Sequence, residues 1–250
     1  MHFNLLKTAF FISLSLILSG CITLQKSTKV LPPPPANFVP MEMGAEGKRE
    51  ISDYAKKRME LFASEDISKL QNGNVFVGGS MTERYPLATH YPGIVVVNRG
   101  IGGDTIGGLA AYGVYDRLSS TIINLNPSKL ILLVGINDLI WVKSVSMEKK
   151  IDQYAYLVWT IRKNLPDTQL YLISNLPCKG KLAYVNDDAE RFNLNIKKIA
   201  QIYGAQYIDI APYFRDEKGE LKAELATDDI HINQAGYKIM TDLYKKEIFQ

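Results

Sequence analysis

The chain has 250 residues, of which 46% are hydrophobic and 22% are charged, and its formal net charge is +3. This composition is typical of a globular protein and supplies enough apolar side chains for a buried core. The small positive charge is not gathered into a basic stripe with interleaved aromatic residues, so a nucleic acid is not an expected partner.

Residues 1–20 have the pattern of an export signal. Lys7 precedes an uninterrupted apolar run from Ala9 to Leu18, which is shorter than the roughly 20 residues that a membrane-spanning helix needs. The letters LSGC then end at Cys21 and resemble the lipobox of bacterial lipoproteins, in which the cysteine becomes the lipid-modified first residue of the mature chain. An ordinary signal peptide with a chance cysteine, or an uncleaved anchor, is the alternative.

The lipobox resemblance implies a location for the protein. A lipid on Cys21 would anchor the chain to the periplasmic face of a membrane in the cell envelope, and Ile22 favours the outer membrane if the cell is Gram-negative. Residues 21–47, with the proline run at 32–35, are predicted to form an extended tether. Cys178 is left without a partner and is expected to be a small, partly buried thiol.

From residue 48 to residue 250 the pattern indicates one domain. Helical spacing of apolar residues predicts a first helix over residues 51–62 and further helices over 109–123, 147–165, 189–203 and 234–248. Short apolar runs between them predict strands at residues 75–77, 94–97, 130–134, 170–173 and 207–210. Strands that are apolar on both faces and alternate with helices indicate a mainly parallel sheet of about five strands in a three-layer, doubly wound α/β domain.

Four segments at the ends of predicted strands carry groups suited to acyl transfer. They are GGSMT at 78–82, NRGIGGDT at 98–105, GIND at 135–138 and DDIH at 228–231. In open α/β sheets, ligands bind beyond the carboxyl ends of the strands, so these segments are expected to meet.

Each group has an expected role. Ser80 is the candidate nucleophile, His231 is the base that takes its proton, and Asp228 orients the imidazole. The backbone N–H groups of Ser80 and Gly103 and the amide of Asn137 are candidate donors to the oxyanion. His90 has no acid nearby in the sequence and is predicted to be an ordinary surface histidine.

The four segments, in this order, resemble the conserved blocks of SGNH (GDSL-like) hydrolases, and NRGIGGDT is most similar to the branch that contains platelet-activating-factor acetylhydrolase subunits. The resemblance runs from about residue 75 to residue 237 and implies the same roles for Ser80, Gly103, Asn137 and the Asp228–His231 pair. Two positions depart from the family pattern. Gly79 replaces the usual Asp, and Asp229 replaces the usual Gly, where its carboxylate either raises the pKa of the neighbouring imidazole or points to solvent.

Other classes of site fit the sequence less well. The glycine run is not followed by the Gly-Lys-Ser/Thr of a phosphate-binding loop, and Asp228, Asp229 and His231 lack a further ligand for a metal. Thr82 stands where the nucleophile elbow of an α/β-hydrolase needs Gly. Tyr112 and Tyr115 are expected to pack in or near the core rather than to bind sugars.

The resemblance therefore predicts a serine esterase that works through an acyl-serine intermediate without a cofactor or metal. Short loops and the lack of a long apolar lid favour a small acyl group, such as acetyl on a cell-envelope glycan. Two alternatives stay open, namely a lipase or lysophospholipase acting on membrane lipids, and a binding lipoprotein whose hydrolase site has decayed.

Overall fold

The computed structural model describes residues 30–249, and at its centre five short strands form a parallel sheet. They are β1 (Asn74–Gly78), β2 (Val96–Gly100), β3 (Lys129–Leu133), β4 (Gln169–Ile173) and β5 (Gln206–Ile208). Their order across the sheet is β2-β1-β3-β4-β5, and every neighbouring pair is parallel. The predicted doubly wound α/β fold is confirmed. The order reverses between β1 and β3, and ligands bind at such switch points.

Helices connect the strands and cover the sheet. The α-helices of the described residues are α1 (Asp53–Ala63), α2 (Ser80–Glu83), α3 (Leu87–His90), α4 (Val114–Thr121), α5 (Ile136–Trp141), α6 (Met147–Asn164), α7 (Asn186–Ile202), α8 (Ala211–Phe214) and α9 (Gln234–Glu247). Short 3-10 helices lie at Ile67–Lys69, Ile123–Leu125, Gly180–Val185 and Ala223–Leu225.

The strands are apolar on both faces because each face meets a separate layer of helices. Val75 and Val77 of β1 belong to a core cluster with residues of α4, α6 and α7, whereas Phe76 between them belongs to a cluster with residues of α9. Successive side chains of a strand point to opposite faces, so the continuous apolar runs in the sequence reflect burial from two sides.

Several element ends differ from the sequence predictions, and two of these differences lie next to the site. The second strand was expected at residues 94–97, but β2 runs from Val96 to Gly100, and the side chains of Ile94 and Val95 are exposed before it. The helix expected from residue 109 begins at Val114, because residues 105–113 form a loop in which Gly107 and Gly108 have positive φ angles. Apolar periodicity alone does not show at which residue a loop ends and a helix begins.

The segment before α1 contacts the domain. The ring of Phe38 lies 5.1 Å from that of Tyr156, and the hydroxyl of Tyr203 donates a hydrogen bond to the carbonyl oxygen of Pro33 at 3.1 Å. One compact unit therefore begins at Leu31 rather than at residue 48, and the predicted extended tether does not describe residues 31–47. Burial of the Phe38 side chain, with partial burial of Leu31, helps to hold the segment there.

The same segment has a polar attachment to the domain. Lys48 and Asp116 form an ion pair whose side chains are 1% and 2% exposed, and the Lys48 ammonium also donates to the carbonyl oxygen of Met41. The predicted export signal and Cys21 lie outside the described residues. None of the helices between residues 30 and 249 combines the length and the apolar character needed to cross a bilayer.

Candidate active site

The four predicted segments meet at the carboxyl edge of the sheet, beside the switch point. Ser80 begins α2 directly after β1, Asn137 lies in the first turn of α5 after β3, and Gly103 lies in the loop after β2. His231 comes from the loop before α9. A Cβ on Gly78 would overlap the carbonyl oxygen of Leu133, so the absence of a side chain lets β1 and β3 approach closely just before Ser80.

Ser80, His231 and Asp228 form a continuous chain of hydrogen bonds. The Ser80 Oγ lies 2.8 Å from the His231 Nε2, and the His231 Nδ1 lies 2.7 Å from the Asp228 Oδ2. The His231 side chain is 15% exposed, whereas that of Asp228 is 50% exposed. The imidazole is thus placed to take the proton of the hydroxyl while the carboxylate fixes its orientation.

A tight turn holds the Asp228 carboxylate. Its Oδ1 accepts the backbone N–H groups of Ile230 at 2.9 Å and of His231 at 2.8 Å. Partial burial by itself would raise the pKa of Asp228, but the hydrogen bonds from Ile230 and His231 outweigh it and lower the pKa to about 2. The carboxylate is therefore ionised throughout the neutral range, as an acceptor for an imidazolium needs to be.

Three N–H donors belong to residues that line the cleft at the Ser80 hydroxyl. Within residues 30–249 the backbone N–H groups of Ser80 and Gly103 have no hydrogen-bond acceptor. One N–H of the Asn137 Nδ2 amide donates a hydrogen bond to the carbonyl oxygen of Asp104 at 2.8 Å. The second N–H of this amide is left for another acceptor. Gly103 has a φ of +81°, a conformation that suits glycine, and it lines the cleft.

A buried ion pair supports the Gly103 loop. The Arg117 guanidinium binds the Asp104 carboxylate at 2.7 and 2.8 Å and donates to the carbonyl oxygen of Arg99 at 2.7 Å. Burial raises the pKa of Asp104 to about 6, although Arg117 opposes the shift. The loop that presents Gly103 is thereby joined to α4 and to the end of β2.

Asp138 makes a second buried contact to the same loop. Its carboxylate accepts the backbone N–H of Ile106 at 3.0 Å, and burial raises its pKa to about 7, against the effects of the Ile106 N–H and the Lys150 charge. Sequence reasoning missed Asp104, Asp138 and Arg117 as supports of the site. The available signal was the Asp inside each of NRGIGGDT and GIND, since a carboxylate next to a buried strand needs a partner.

Glu83 attaches the loop from the opposite side. Its carboxylate accepts the N–H of Gly102 and the hydroxyl of Tyr54, and the Nε of Arg58 lies 3.5 Å away. Glu83 is one turn beyond Ser80 on the same short helix, so α2 carries both the candidate nucleophile and a support for the Gly103 loop.

The two departures from the family pattern have structural consequences. A Cβ on Gly79 would lie 3.1 Å from the Asn137 Nδ2, so a larger residue would crowd one of the candidate oxyanion donors. The Asp229 carboxylate accepts the Lys181 N–H at 3.1 Å and lies 3.7 Å from the Lys179 ammonium. It thus binds the loop after β4, which is neither of the two arrangements considered for it.

The remaining candidates of the sequence lie in packing positions. His90 stacks near the ring of Tyr85, with 5.6 Å between centroids, and does not line the cleft. The Tyr112 hydroxyl contacts the Met59 sulfur, and the Tyr115 ring packs on that of Tyr156. Cys178 is fully buried, and this burial raises the pKa of its thiol to about 12. Among the described residues no group of histidine, cysteine or acidic side chains is arranged to hold a metal ion.

Two cavities adjoin Ser80. An open cleft of about 360 Å³ contains Ser80, Gly103, Asn137 and His231. Behind it, a pocket of about 20 Å³ is bounded by the Ser80–Asn137 side of the site and by apolar side chains, among them Leu133, Ile136, Leu176 and Ile230. A bound ester can thus place its acyl group in the small pocket and its alcohol part in the open cleft.

Comparison with solved structures gives the same fold. A candidate platelet activating factor from Streptococcus pneumonia is 24% identical with a TM-score of 0.66, covering 76% of this chain and 89% of that chain. A GDSL-like lipase from Bacteroides thetaiotaomicron is 19% identical with a TM-score of 0.65, covering 79% and 97%. An acetylxylan esterase from Geobacillus stearothermophilus is 21% identical with a TM-score of 0.57, covering 72% and 96%.

Comparison of sequences identifies the family. No curated protein matches the chain. The model of the GDSL-like lipase/acylhydrolase family matches residues 76–239, a range that includes the end of β1, the Gly103 loop, α5 and the His231 loop. The chain therefore belongs to the GDSL-like lipase/acylhydrolase family and is a serine ester hydrolase.

Proposed function

We propose that the protein hydrolyses short-acyl esters, chiefly O-acetyl groups on cell-envelope glycans, through an acyl-Ser80 intermediate. Ser80 is the nucleophile, His231 is the general base and acid, and Asp228 orients and stabilises the imidazolium. The observation that carries the proposal is the hydrogen-bonded chain from Asp228 through His231 to Ser80, with a pocket of about 20 Å³ beside it.

The geometry supports a two-step reaction. The Ser80 Oγ attacks the carbonyl carbon while its proton passes to the His231 Nε2, and the oxyanion receives hydrogen bonds from Ser80 N–H, Gly103 N–H and the Asn137 amide. Collapse of the tetrahedral intermediate breaks the ester C–O bond, and His231 returns the proton to the departing alcohol. Water activated by His231 then attacks the acyl-serine and releases the acid and free Ser80.

The size of the small pocket favours a short acyl group. A cavity needs about 10–15 Å³ of such volume to hold one water molecule, so a space of about 20 Å³ suits a methyl group rather than a long chain. Leu133, Ile136 and Leu176 close it with apolar surface. The open cleft in front of Ser80 has room for a much larger alcohol part, as a polysaccharide requires.

We further propose that the domain acts at the cell envelope. Cys21 would carry the lipid, and the stretch between it and Leu31 would connect the lipid to the folded unit. Metabolic labelling with an alkyne analogue of palmitate tests this directly, since the wild-type chain should be labelled and Cys21→Ser should not. Equal absence of label in both would contradict the anchor.

The catalytic proposal is tested by hydrolysis of p-nitrophenyl acetate, butyrate and palmitate by the full-length protein in detergent. We expect the highest kcat/KM on acetate and a loss of at least about 10⁴-fold in kcat for Ser80→Ala and for His231→Ala. Comparable rates on palmitate would indicate a lipase or lysophospholipase instead. Absence of Ser80-dependent turnover, together with no reaction with a fluorophosphonate probe, would indicate a binding protein with a decayed site.

A further inference from the structure

Three exposed side chains line the cleft beyond the reacting groups. Trp141 is 57% exposed and Tyr54 is 51% exposed, and the Arg84 side chain is also exposed. None of the three belongs to the hydrogen-bonded chain of Ser80, and together they form what we call the cleft rim. Large aromatic rings that remain open to solvent beside a catalytic serine are typical of a binding surface.

Two of these residues follow a residue of the candidate site at helical spacing. Arg84 is four residues after Ser80, and its backbone N–H donates to the Ser80 carbonyl oxygen at 3.0 Å. Trp141 is four residues after Asn137 on α5. Residues four apart share a helix face, so Arg84 and Trp141 each lie one turn along from a residue proposed to act on the ester. Tyr54 comes from α1, on the Gly102 side of the cleft.

The Arg84 guanidinium has no ion-pair partner among the described residues. The nearest carboxylate in the sequence, Glu83, already accepts the Gly102 N–H and the Tyr54 hydroxyl and lies 3.5 Å from the Arg58 Nε. The other charged groups at the cleft are thus Glu83, which is partly neutralised by Arg58, and the His231–Asp228 pair. Arg84 remains as an exposed cation with five donors at the edge of the cleft.

Resting on the proposed function, we infer that the cleft rim binds an acidic sugar unit of the acylated glycan. Its carboxylate pairs with Arg84, and its ring packs on the aromatic surface of Trp141 and Tyr54. A guanidinium recognises a planar carboxylate with two parallel hydrogen bonds, and an aromatic face suits the apolar C–H face of a sugar ring. The preferred substrate class is therefore an O-acetylated glycan containing uronic acids or other carboxyl-bearing sugars, in preference to a neutral one.

A pair of substrates that differ only in charge tests this inference. The full-length protein in detergent is assayed for acetate release from a fully acetylated methyl glucuronoside and from its uronamide, in which the carboxylate is replaced by a neutral amide of similar shape. The wild-type protein should prefer the acid. Arg84→Gln should reduce the ratio of kcat/KM for acid over amide about three- to tenfold, the value of a charged hydrogen bond that is partly screened by water.

Further variants separate charge from stacking. Arg84→Lys keeps the charge and should retain most of the preference. Trp141→Ala should lower kcat/KM on both sugars about two- to tenfold and leave their ratio unchanged. Arg191→Gln is the matched control, because Arg191 is an exposed arginine on α7, paired with Glu148 and absent from the cleft.

The outcomes distinguish this inference from the proposed function. An Arg84→Gln ratio within twofold of the wild-type ratio, or no effect of Trp141→Ala on either sugar, would overturn the rim as an acidic-sugar site while p-nitrophenyl acetate is still hydrolysed. Absence of Ser80-dependent hydrolysis of p-nitrophenyl acetate as well would overturn the proposed function itself.

Discussion

The two loops that meet at Ser80 are held in place by different kinds of contact. The loop of residues 101–113, which presents Gly103, is fixed by buried side chains: Asp104 pairs with Arg117, and Asp138 accepts the Ile106 N–H. The loop of residues 226–232, which presents His231, is held nearer the surface by backbone hydrogen bonds and by the carboxylates of Asp228 and Asp229. Thr227 N–H donates to the His231 carbonyl oxygen at 2.8 Å within this second loop.

This difference matches what the proposed function requires of each loop. Oxyanion donors act only if they are in place before charge develops, and a buried network maintains their position without solvent competition. The imidazole has to accept and return a proton, and a half-exposed carboxylate with a pKa of about 2 stays charged through both steps. Substitutions in the first loop should therefore affect stability, whereas substitutions in the second should affect rate.

The largest expected effect is that of Asp228→Asn on the rate. The Asn side chain can still accept the Ile230 and His231 N–H groups, so the turn should persist, but its amide would favour the wrong tautomer of the imidazole. We expect kcat on p-nitrophenyl acetate to fall about 10³- to 10⁴-fold. Thermal stability at neutral pH should fall only modestly, because the lowered pKa of Asp228 favours the ionised carboxylate in the folded state but this side chain is half exposed. A loss of less than tenfold would show that His231 acts without this carboxylate.

Next in size is the effect of Arg117→Met on stability. The substitution leaves the Asp104 carboxylate buried without its partner. Breaking a buried ion pair in this way lowers the free energy of unfolding by about 3–5 kcal/mol. Urea unfolding at pH 8 measures this loss. Because Asp104 has a pKa raised to about 6, it can take up a proton, and the loss should be smaller at pH 5.

The matched control is Arg191→Met, which breaks the exposed pair with Glu148. Its side chains are 55% and 68% exposed, so the free energy of unfolding should change by about 1 kcal/mol or less. Equal losses for the two substitutions would mean that the buried network does not stabilise the Gly103 loop more than a surface pair stabilises α7.

The sheet and the meeting of the candidate site residues could be predicted from the sequence, whereas the long-range side-chain pairs could not. Apolar runs on both faces predict a parallel sheet covered by helices, and groups that follow such strands meet at one edge, which brings Ser80, Gly103 and Asn137 together. Pairing across long separations gives no local signal. Asp116 and Lys48 are 68 residues apart, and neither type of residue is normally expected to be buried, so the attachment of residues 31–47 was not predicted.

The buried carboxylates should also give stability a distinctive pH dependence. Burial raises the pKa of Asp138 to about 7 and that of Asp104 to about 6, both above the ordinary value of 3.8. In the folded protein these two groups therefore bind more protons than in the unfolded chain between about pH 4 and pH 7, and their contribution to stability should increase as the pH falls through this range.

Asp138→Asn isolates one of these groups. The Asn oxygen can still accept the Ile106 N–H, but the side chain no longer titrates, so Tm should rise less between pH 8 and pH 5.5 than it does in the wild-type protein. Asp242→Asn, at an exposed carboxylate paired with Lys238 on α9, is the control. An Asp138→Asn protein with the full wild-type rise would contradict a titrating Asp138.

The smallest effect is expected for Asp229→Asn, although Asp229 is closer to His231 in the sequence than Asp228. Its carboxylate accepts the Lys181 N–H and lies over Gly180, so it contacts the loop after β4 rather than the imidazole. We expect kcat/KM on p-nitrophenyl acetate to stay within about threefold of the wild-type value, since side chains outside the hydrogen-bonded chain change transition-state binding little. The pH profile of kcat/KM is the sharper measurement. A shift of its acid limb by a whole pH unit would show that the Asp229 charge acts on His231, and that the second loop holds its base electrostatically as well as through its backbone.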